Sequence, residues 1–303
     1  MSAAPDKIAR PSGLDERKTL IGLAVTSIVL AMWVYLPVLQ RMVTHWQIDA
    51  DYSHGFIIAP LSIYFAWERR AELARAKVEG SWWGIVILAL GLVAMAIGQL
   101  GALLTLLRGG FVLTVMGLVL LLLGREIFRI LLFPLLFLFL MVPLPRSLVN
   151  VVAFPLQLIA ANWAVSTLQL LGVPALVEGN IIHLAHTQLF VAEACSGLRS
   201  LMALITLGVV FAHFFKPGHR VQQVVLVVST IPIAVVVNAA RVTLTGWMTQ
   251  QYGEHAAQGV IHEFQGIITF GLAFFALMGV ARLLDFGTRL AHLRAGTSQG
   301  GHR

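Results

Sequence analysis

Residues 148–171 read LVNVVAFPLQLIAANWAVSTLQLL, and the topology of the chain depends on how this stretch meets a membrane. The stretch is apolar and long enough to cross a bilayer core, which takes about 20 residues of helix. It is interrupted by a proline, Pro155, and its polar residues are Asn150, Gln157, Asn162, Ser166 and Gln169. A crossing here would reverse the orientation of every later segment, so the surrounding charges decide its assignment.

The composition of the chain is that of a protein with many membrane spans. Hydrophobic residues make up 58% of the 303 residues and charged residues 12%, and the mean hydropathy is +0.85. A soluble domain of this length is far less apolar. The net charge is +7, but lysine and arginine occur in short clusters between apolar runs, which indicates membrane orientation rather than nucleic-acid binding. We therefore predict an all-α polytopic membrane protein.

Eight apolar runs predict transmembrane helices. They lie at 19–38, 54–67, 82–104, 109–124, 127–142, 198–213, 221–240 and 265–284. The basic clusters between them are assigned to the cytoplasm by the positive-inside rule. These clusters are Lys7, Arg10, Arg17 and Lys18; Arg69, Arg70, Arg75 and Lys77; Arg125 and Arg129; Lys216 and Arg220; and Arg282, Arg289 and Arg294. The segments around 51–54, 146, 187–195 and 241–262 are then external.

With this orientation, a crossing at 148–171 would place Lys216 and Arg220 outside. We therefore predict an interfacial or re-entrant helix there, with an ordinary span as the alternative. Helix-breaking residues follow, and residues 176–193 are rich in strand formers, which predicts a short external β-hairpin. One membrane domain is predicted over 19–285, with cytoplasmic tails at 1–18 and 286–303; the first apolar run is a retained helix, not a cleaved signal.

Three polar residues fall at the same predicted external level. Cys195 precedes the sixth span, Arg241 ends the seventh, and His262 precedes the eighth. A thiolate can attack an amide carbonyl, an imidazole can move the protons, and a fixed guanidinium can stabilise the oxyanion. The alternatives are an apolar filler cysteine, an arginine that extends to the interface and a surface histidine.

The residues around Cys195 favour an activated thiol. A helix that begins near Ser196 or Gly197 would favour thiolate through its N-terminal amides. Arg199 adds positive potential, or instead fixes the loop through Glu193.

Two further residues are expected to support this site. Asn238 lies one helical turn before Arg241 and could orient it. His54 belongs to the external sequence DYSHG at 51–55, which either lines the cleft or forms a solvated turn.

A metal site is not expected. His183 and His186, with Glu178 and Glu193, are conceivable ligands, but residues three apart in a strand point to opposite faces. The HEFQG sequence at 262–266 lacks the second histidine of a helical zinc-protease motif. No cofactor is predicted.

Several motifs resemble those of the exosortase/archaeosortase family. They are EACSGLRS at 193–200, NAAR at 238–241 and HEFQG at 262–266, together with YSHGFIIAPLSIYFAW and FPLLFLFLMVPLP in the amino-terminal half. The resemblance covers about residues 20–285. It implies a multi-pass cysteine transpeptidase of the bacterial inner membrane, with its active site on the periplasmic face. Its partners would be exported, membrane-anchored proteins with a C-terminal sorting signal of the Pro-Glu-Pro kind.

By this resemblance, Cys195 is the nucleophile, Arg241 stabilises the oxyanion and His262 transfers protons. One alternative is a non-enzymatic permease or assembly factor for envelope polysaccharide, with Arg241 and His262 lining a polar path. Another is a serine or zinc intramembrane protease, which is disfavoured because no Gly-x-Ser-x-Gly motif or ligand cluster is evident.

Overall fold

The computed structural model describes the backbone of residues 13–185, 187–191, 197–215, 218–253 and 260–299, and the side chains of 16–185, 187–191, 201–215, 218–253 and 265–288. The chain divides into two compact units, unit 1 at Met1–Pro145 and unit 2 at Arg146–Arg303. The predicted membrane domain over 19–285 and the two predicted tails stay predictions.

Unit 1 is built from helices. They are α1 Gly13–Val34, α2 Leu36–Ile48, α3 Gly55–Glu68, α4 Arg70–Arg75, α5 Trp83–Leu100, α6 Leu104–Leu118 and α7 Gly124–Phe137. Short 3-10 turns occupy Ala50–Tyr52 and Leu138–Met141, and a π-helical turn occupies Val119–Leu123.

Six of the described helical stretches are long and apolar enough to cross a membrane. They are Glu16–Val34, Trp83–Leu100, Leu104–Met141, Arg146–Leu170, Arg220–Tyr252 and Gln265–Thr288. The multi-pass helical class is therefore confirmed, but the predicted number of eight spans is not. One reason is that α3 has 14 residues, or about 21 Å of helix, which is shorter than a bilayer core of about 30 Å.

The stretch Leu104–Met141 folds back on itself instead of running as one rod. Thr105 Oγ1, at the start of α6, donates a 3.0 Å hydrogen bond to the carbonyl of Pro143, which follows α7. The chain reverses at Gly124, where φ is 90°, a left-handed value that glycine adopts without a Cβ penalty. The predicted break between the runs 109–124 and 127–142 is thus observed.

Helices α5 and α6 form an antiparallel hairpin with almost touching backbones. The glycines of α5 recur every seventh residue and are all buried: Gly91 and Gly98 face α6, and Gly84 faces the π-helical turn that follows it. A Cβ added at Gly91 would lie 2.7 Å from the amide nitrogen of Thr114, and one at Gly98 would lie 2.7 Å from that of Leu107. Small residues in register are a recurrent means of packing helices in membranes.

This hairpin gives a prediction for stability. Gly91→Ala should lower the thermal unfolding midpoint of the purified protein, because its Cβ overlaps the Thr114 backbone and overpacking costs about 1–3 kcal/mol. The matched control is Gly109→Ala on α6, where a Cβ meets nothing within 4 Å. Because alanine favours helix over glycine by up to ~1 kcal/mol, the control should be neutral or stabilising. Equal midpoints for the two variants would contradict the close packing.

Unit 2 contains four helices and a sheet in its described residues. The helices are α8 Arg146–Leu170, α9 Gly197–Phe215, α10 Arg220–Tyr252 and α11 Val260–Gln299, and the strands are β1 Ala175–Glu178, β2 Ile181–Leu184 and β3 Gln188–Phe190. The strands pair antiparallel in the order β1-β2-β3. The predicted hairpin is therefore present, and a third strand extends it.

Helix α8 is one continuous helix that runs alongside α10 in the same direction. Ala153 of α8 lines a small cavity with Val235 of α10. Further along both helices, a Cβ at Gly246 of α10 would lie 2.9 Å from Leu168 Cδ1 of α8, so the two helices are parallel. Two polar side chains of α8 are satisfied within the helix, since Asn162 Nδ2 donates to the Leu158 carbonyl and Ser166 Oγ to that of Asn162. The helix is long and apolar enough to cross a membrane, so the ordinary span remains open and the interfacial or re-entrant helix stays a prediction.

Candidate active site

The helices α9, α10 and α11 pack antiparallel in sequence order. Gln223 Nε2, near the start of α10, donates a 3.4 Å hydrogen bond to the carbonyl of Ala212 near the end of α9. Leu226, early in α10, shares a buried cluster with Leu277 and Ala281, late in α11. The start of α9, the second half of α10 and the start of α11 therefore lie at one end of unit 2.

Arg241 lies within α10 and not at its end. The sequence predicted a span at 221–240 with Arg241 at its limit, but the helix continues to Tyr252. The Arg241 side chain is only 6% exposed. The interpretation of an arginine that extends to the interface is therefore wrong, because protein covers the Arg241 side chain.

The buried guanidinium lies close to the first turns of α11. A Cβ at Gly266 would be 3.9 Å from Arg241 Nη2. His262 is four residues before Gly266, so the two positions share one face of the helix. Helix α11 is described from Val260 onward, so the backbone of His262 is helical and precedes the candidate span Gln265–Thr288.

The amino terminus of α9 lies at the same end. Gly197 is the first described residue of α9, and residues 192–196 lie outside the described residues, so the predicted start near Ser196 or Gly197 stays a prediction. Leu201, one turn later, lines a small cavity with Asn238 and Gln157. The half-buried Asn238 side chain therefore faces this cavity, one turn before Arg241.

Several predicted residues lie outside the described residues. These are Glu193, Cys195 and Ser196, together with the side chains of Arg199 and His262. The structure therefore places the first described turns of α9 and α11 at the same end of unit 2 as Arg241, and it describes one of the three proposed catalytic side chains, that of Arg241.

A buried polar network beside Arg241 was missed from the sequence. Thr245 Oγ1 donates a hydrogen bond shared between the Arg241 carbonyl and Gln265 Oε1, each at 2.9 Å. Gln265 is 4% exposed, and its Nε2 donates to the Met248 sulfur at 3.2 Å. The spacing of Arg241, Thr245 and Thr249, each four residues apart, was the available signal for a polar face.

Thr249 completes this face. It is 4% exposed, and its hydroxyl has no hydrogen-bond partner in the described part of the chain. A buried polar atom without a partner is rare and marks a position that can accommodate an additional polar group. This end of α10 is therefore a polar interior surface.

His54 belongs to unit 1, where it immediately precedes α3. Its ring lies 6.2 Å from that of Tyr52, whose hydroxyl donates to the carbonyl of Leu144 at 3.1 Å. Nε2 of His54 is buried and makes no hydrogen bond to a described residue. Burial lowers the pKa of His54, opposed by the backbone carbonyls of Leu140 and Asp51, so the neutral imidazole is favoured.

The residues considered as metal ligands are only partly described. His183 Nε2 lies 3.4 Å from Glu178 Oε2, so these two side chains contact each other, and both are at least partly exposed. His186 and Glu193 are outside the described residues. Within the described residues, no group of three or more histidine, cysteine, aspartate or glutamate side chains is arranged to hold a metal ion.

These features define a multi-pass helical membrane protein with a buried cationic and polar site at one end of a helix hairpin. A family model described as Transmembrane exosortase matches residues 46–279, which is more than half of the chain. The chain therefore belongs to the transmembrane exosortase family, a family of cysteine-type membrane transpeptidases. No curated protein and no solved structure matches it.

Proposed function

We propose that this chain is a membrane cysteine transpeptidase that cleaves the C-terminal sorting signal, of the Pro-Glu-Pro kind, from exported proteins. Cys195 is the nucleophile, His262 transfers the protons, and Arg241 stabilises the oxyanion. The observation that carries the proposal is the buried Arg241 guanidinium next to Gly266, one turn from His262 on α11.

The reach of the chain supports a role for Cys195 in the same site. Cys195 is two residues before Gly197, the first described residue of α9, so its Cα lies within about 7 Å of the Cα of Gly197. The amino terminus of a helix lowers the pKa of a nearby thiol by stabilising the thiolate. A helix start at the same end of unit 2 as a buried guanidinium therefore favours a reactive cysteine.

The reaction divides peptide cleavage into two steps. The thiolate attacks the scissile carbonyl, the guanidinium stabilises the tetrahedral oxyanion, and the carbon–nitrogen bond breaks as the imidazolium protonates the leaving amine. The client is then held as a thioester, and its membrane anchor is free. Water or an amine of the envelope attacks the thioester, the imidazole takes up its proton, and the thiolate is restored.

Charge distribution supports a site on the external side of the bacterial inner membrane. Arg220 begins α10 and Arg282 lies late in α11, so both are at the end of unit 2 opposite Arg241. Under the positive-inside rule that basic end is cytoplasmic. A client with its own membrane anchor obeys the same rule, and confinement to one membrane raises its effective concentration at the enzyme.

Thiol labelling in cells tests this proposal. Cys195 is the only cysteine, so a membrane-impermeant maleimide applied to outer-permeabilised cells reports on this residue alone. We expect rapid labelling that is blocked by pretreatment with a permeant maleimide and slowed by Arg241→Gln. Protection from both reagents would indicate a buried packing residue and would favour the permease interpretation.

A further inference from the structure

Unit 1 contains a groove of about 930 Å³ between two chain segments, 72–83 and 125–130. Its cationic lining residues are Arg75 at the end of α4, Lys77 two residues later, and Arg125 and Arg129 on α7. Two backbone amides hold the first segment in place: the Lys77 amide donates to the side-chain Oε2 of Glu126 at 3.1 Å, and the Ser81 amide donates to backbone carbonyls of the π-helical turn that precedes α7. The groove is therefore part of the fold and not a loose surface depression.

The four cations of this groove are available to a ligand. All four are exposed, and none of their side chains makes a hydrogen bond or ion pair with a residue that the structure describes. Three carboxylates also line the groove, but Glu72 lies 3.4 Å from Arg69, and Glu126 accepts the Lys77 amide. Glu79 is the third, which leaves an excess of positive charge.

Two tryptophans locate the groove relative to the membrane. Trp82 and Trp83 line it and are 83% and 62% exposed, and Trp83 is the first residue of the candidate span Trp83–Leu100. Exposed tryptophan is enriched where a spanning helix leaves the hydrocarbon core. The groove therefore opens at the level of the lipid headgroups.

We propose that this groove binds the headgroup of an anionic phospholipid. Arginine and lysine form charge-assisted hydrogen bonds with phosphate oxygens, and basic pockets beside membrane helices are suited to lipid headgroups. The indole rings of Trp82 and Trp83 are placed to contact the glycerol and upper acyl region. This inference concerns unit 1 alone and does not depend on the proposed catalytic activity.

Native mass spectrometry of the purified full chain tests the proposal. The wild-type protein is titrated with phosphatidylglycerol or with phosphatidylcholine, and bound lipid is counted. We expect preferential retention of phosphatidylglycerol. The variant Arg125→Gln/Arg129→Gln should weaken it roughly tenfold or more, because each cation near an anionic lipid contributes a few-fold in affinity. If this variant does not fold, Arg75→Gln/Lys77→Gln takes its place.

The matched control removes the same charge from unit 2. Arg220→Gln/Arg282→Gln replaces two exposed arginines outside the groove and should leave phosphatidylglycerol binding close to wild type. An unchanged affinity in the groove variant, or an equal loss in the control, would overturn the proposal. Full displacement of the lipid by an equal concentration of inorganic phosphate would identify a soluble anion as the ligand and would also overturn it.

Discussion

Replacing Cys195 by serine is expected to abolish measurable cleavage of a client protein while leaving the enzyme inserted in the membrane. A neutral hydroxyl is a far weaker nucleophile than a thiolate at pH 7, and an oxygen ester would replace the thioester. Because the substitution changes one atom, the packing of the chain should be kept. The measurement is the ratio of processed to unprocessed client in a strain that carries only this variant.

The controls are measured on the same variant. Expression level and detergent-extracted thermal stability should match the wild type, and Cys195→Ala should behave like Cys195→Ser. Wild-type processing in either variant would exclude the cysteine mechanism, whatever the role of Arg241. Transport of an envelope polysaccharide by the cysteine-free protein would favour the permease instead.

Arg241→Lys is expected to reduce client cleavage by about 10²–10³-fold, the loss typical of removing one oxyanion donor. Lysine keeps the positive charge, but an ammonium cannot reproduce the planar guanidinium fork. Because Arg241 is 6% exposed and faces α11 at Gly266, a shorter reach would also move the charge away from that helix. Single-turnover cleavage of a purified client peptide measures the chemical step directly.

The matched control for this substitution is Arg282→Lys on the exposed surface of α11, which should retain full activity. The thiol-labelling rate distinguishes two reasons for a loss. If Arg241→Lys cleaves slowly but its Cys195 labels at the wild-type rate, the guanidinium acts on the oxyanion. Unimpaired cleavage by Arg241→Lys would show that charge alone suffices and would contradict the assigned role.

The helices of this protein were largely predictable because the bilayer imposes their length and composition. The predicted runs at 54–67, 82–104 and 198–213 lie within a few residues of α3, α5 and α9. The reversal near residue 124 was evident from the charge of Arg125 between two apolar runs and of Arg129 at the start of the second. The number of crossings was not predictable to the same degree, because a 14-residue helix such as α3 satisfies hydropathy without satisfying length.

The full length of α10 was not predicted, because hydropathy identifies segments that suit lipid and not polar segments that are buried inside protein. Beyond Arg241 the sequence becomes polar, which on a hydropathy criterion ends the span. In the structure the threonine hydroxyls of this segment bond to backbone carbonyls of their own helix, Thr243 to Ala239 and Thr245 to Arg241. A helix whose polar groups are satisfied internally can continue inside protein, and no local pattern reveals which surface will cover it.

The sequence by itself determined the class of protein, the order of its helices, and the identity of the cysteine, arginine and histidine motifs. These properties follow from local composition and spacing, which the membrane and the chemistry constrain residue by residue. Only the tertiary structure decided that Arg241 is buried against α11, that Thr245 and Gln265 join it, and that Lys77 and Glu126 close a basic groove. Whether a side chain is buried, and which residues it contacts, depends on segments that are distant in sequence. The close approach of these segments is a property of packing, not of any single stretch of chain.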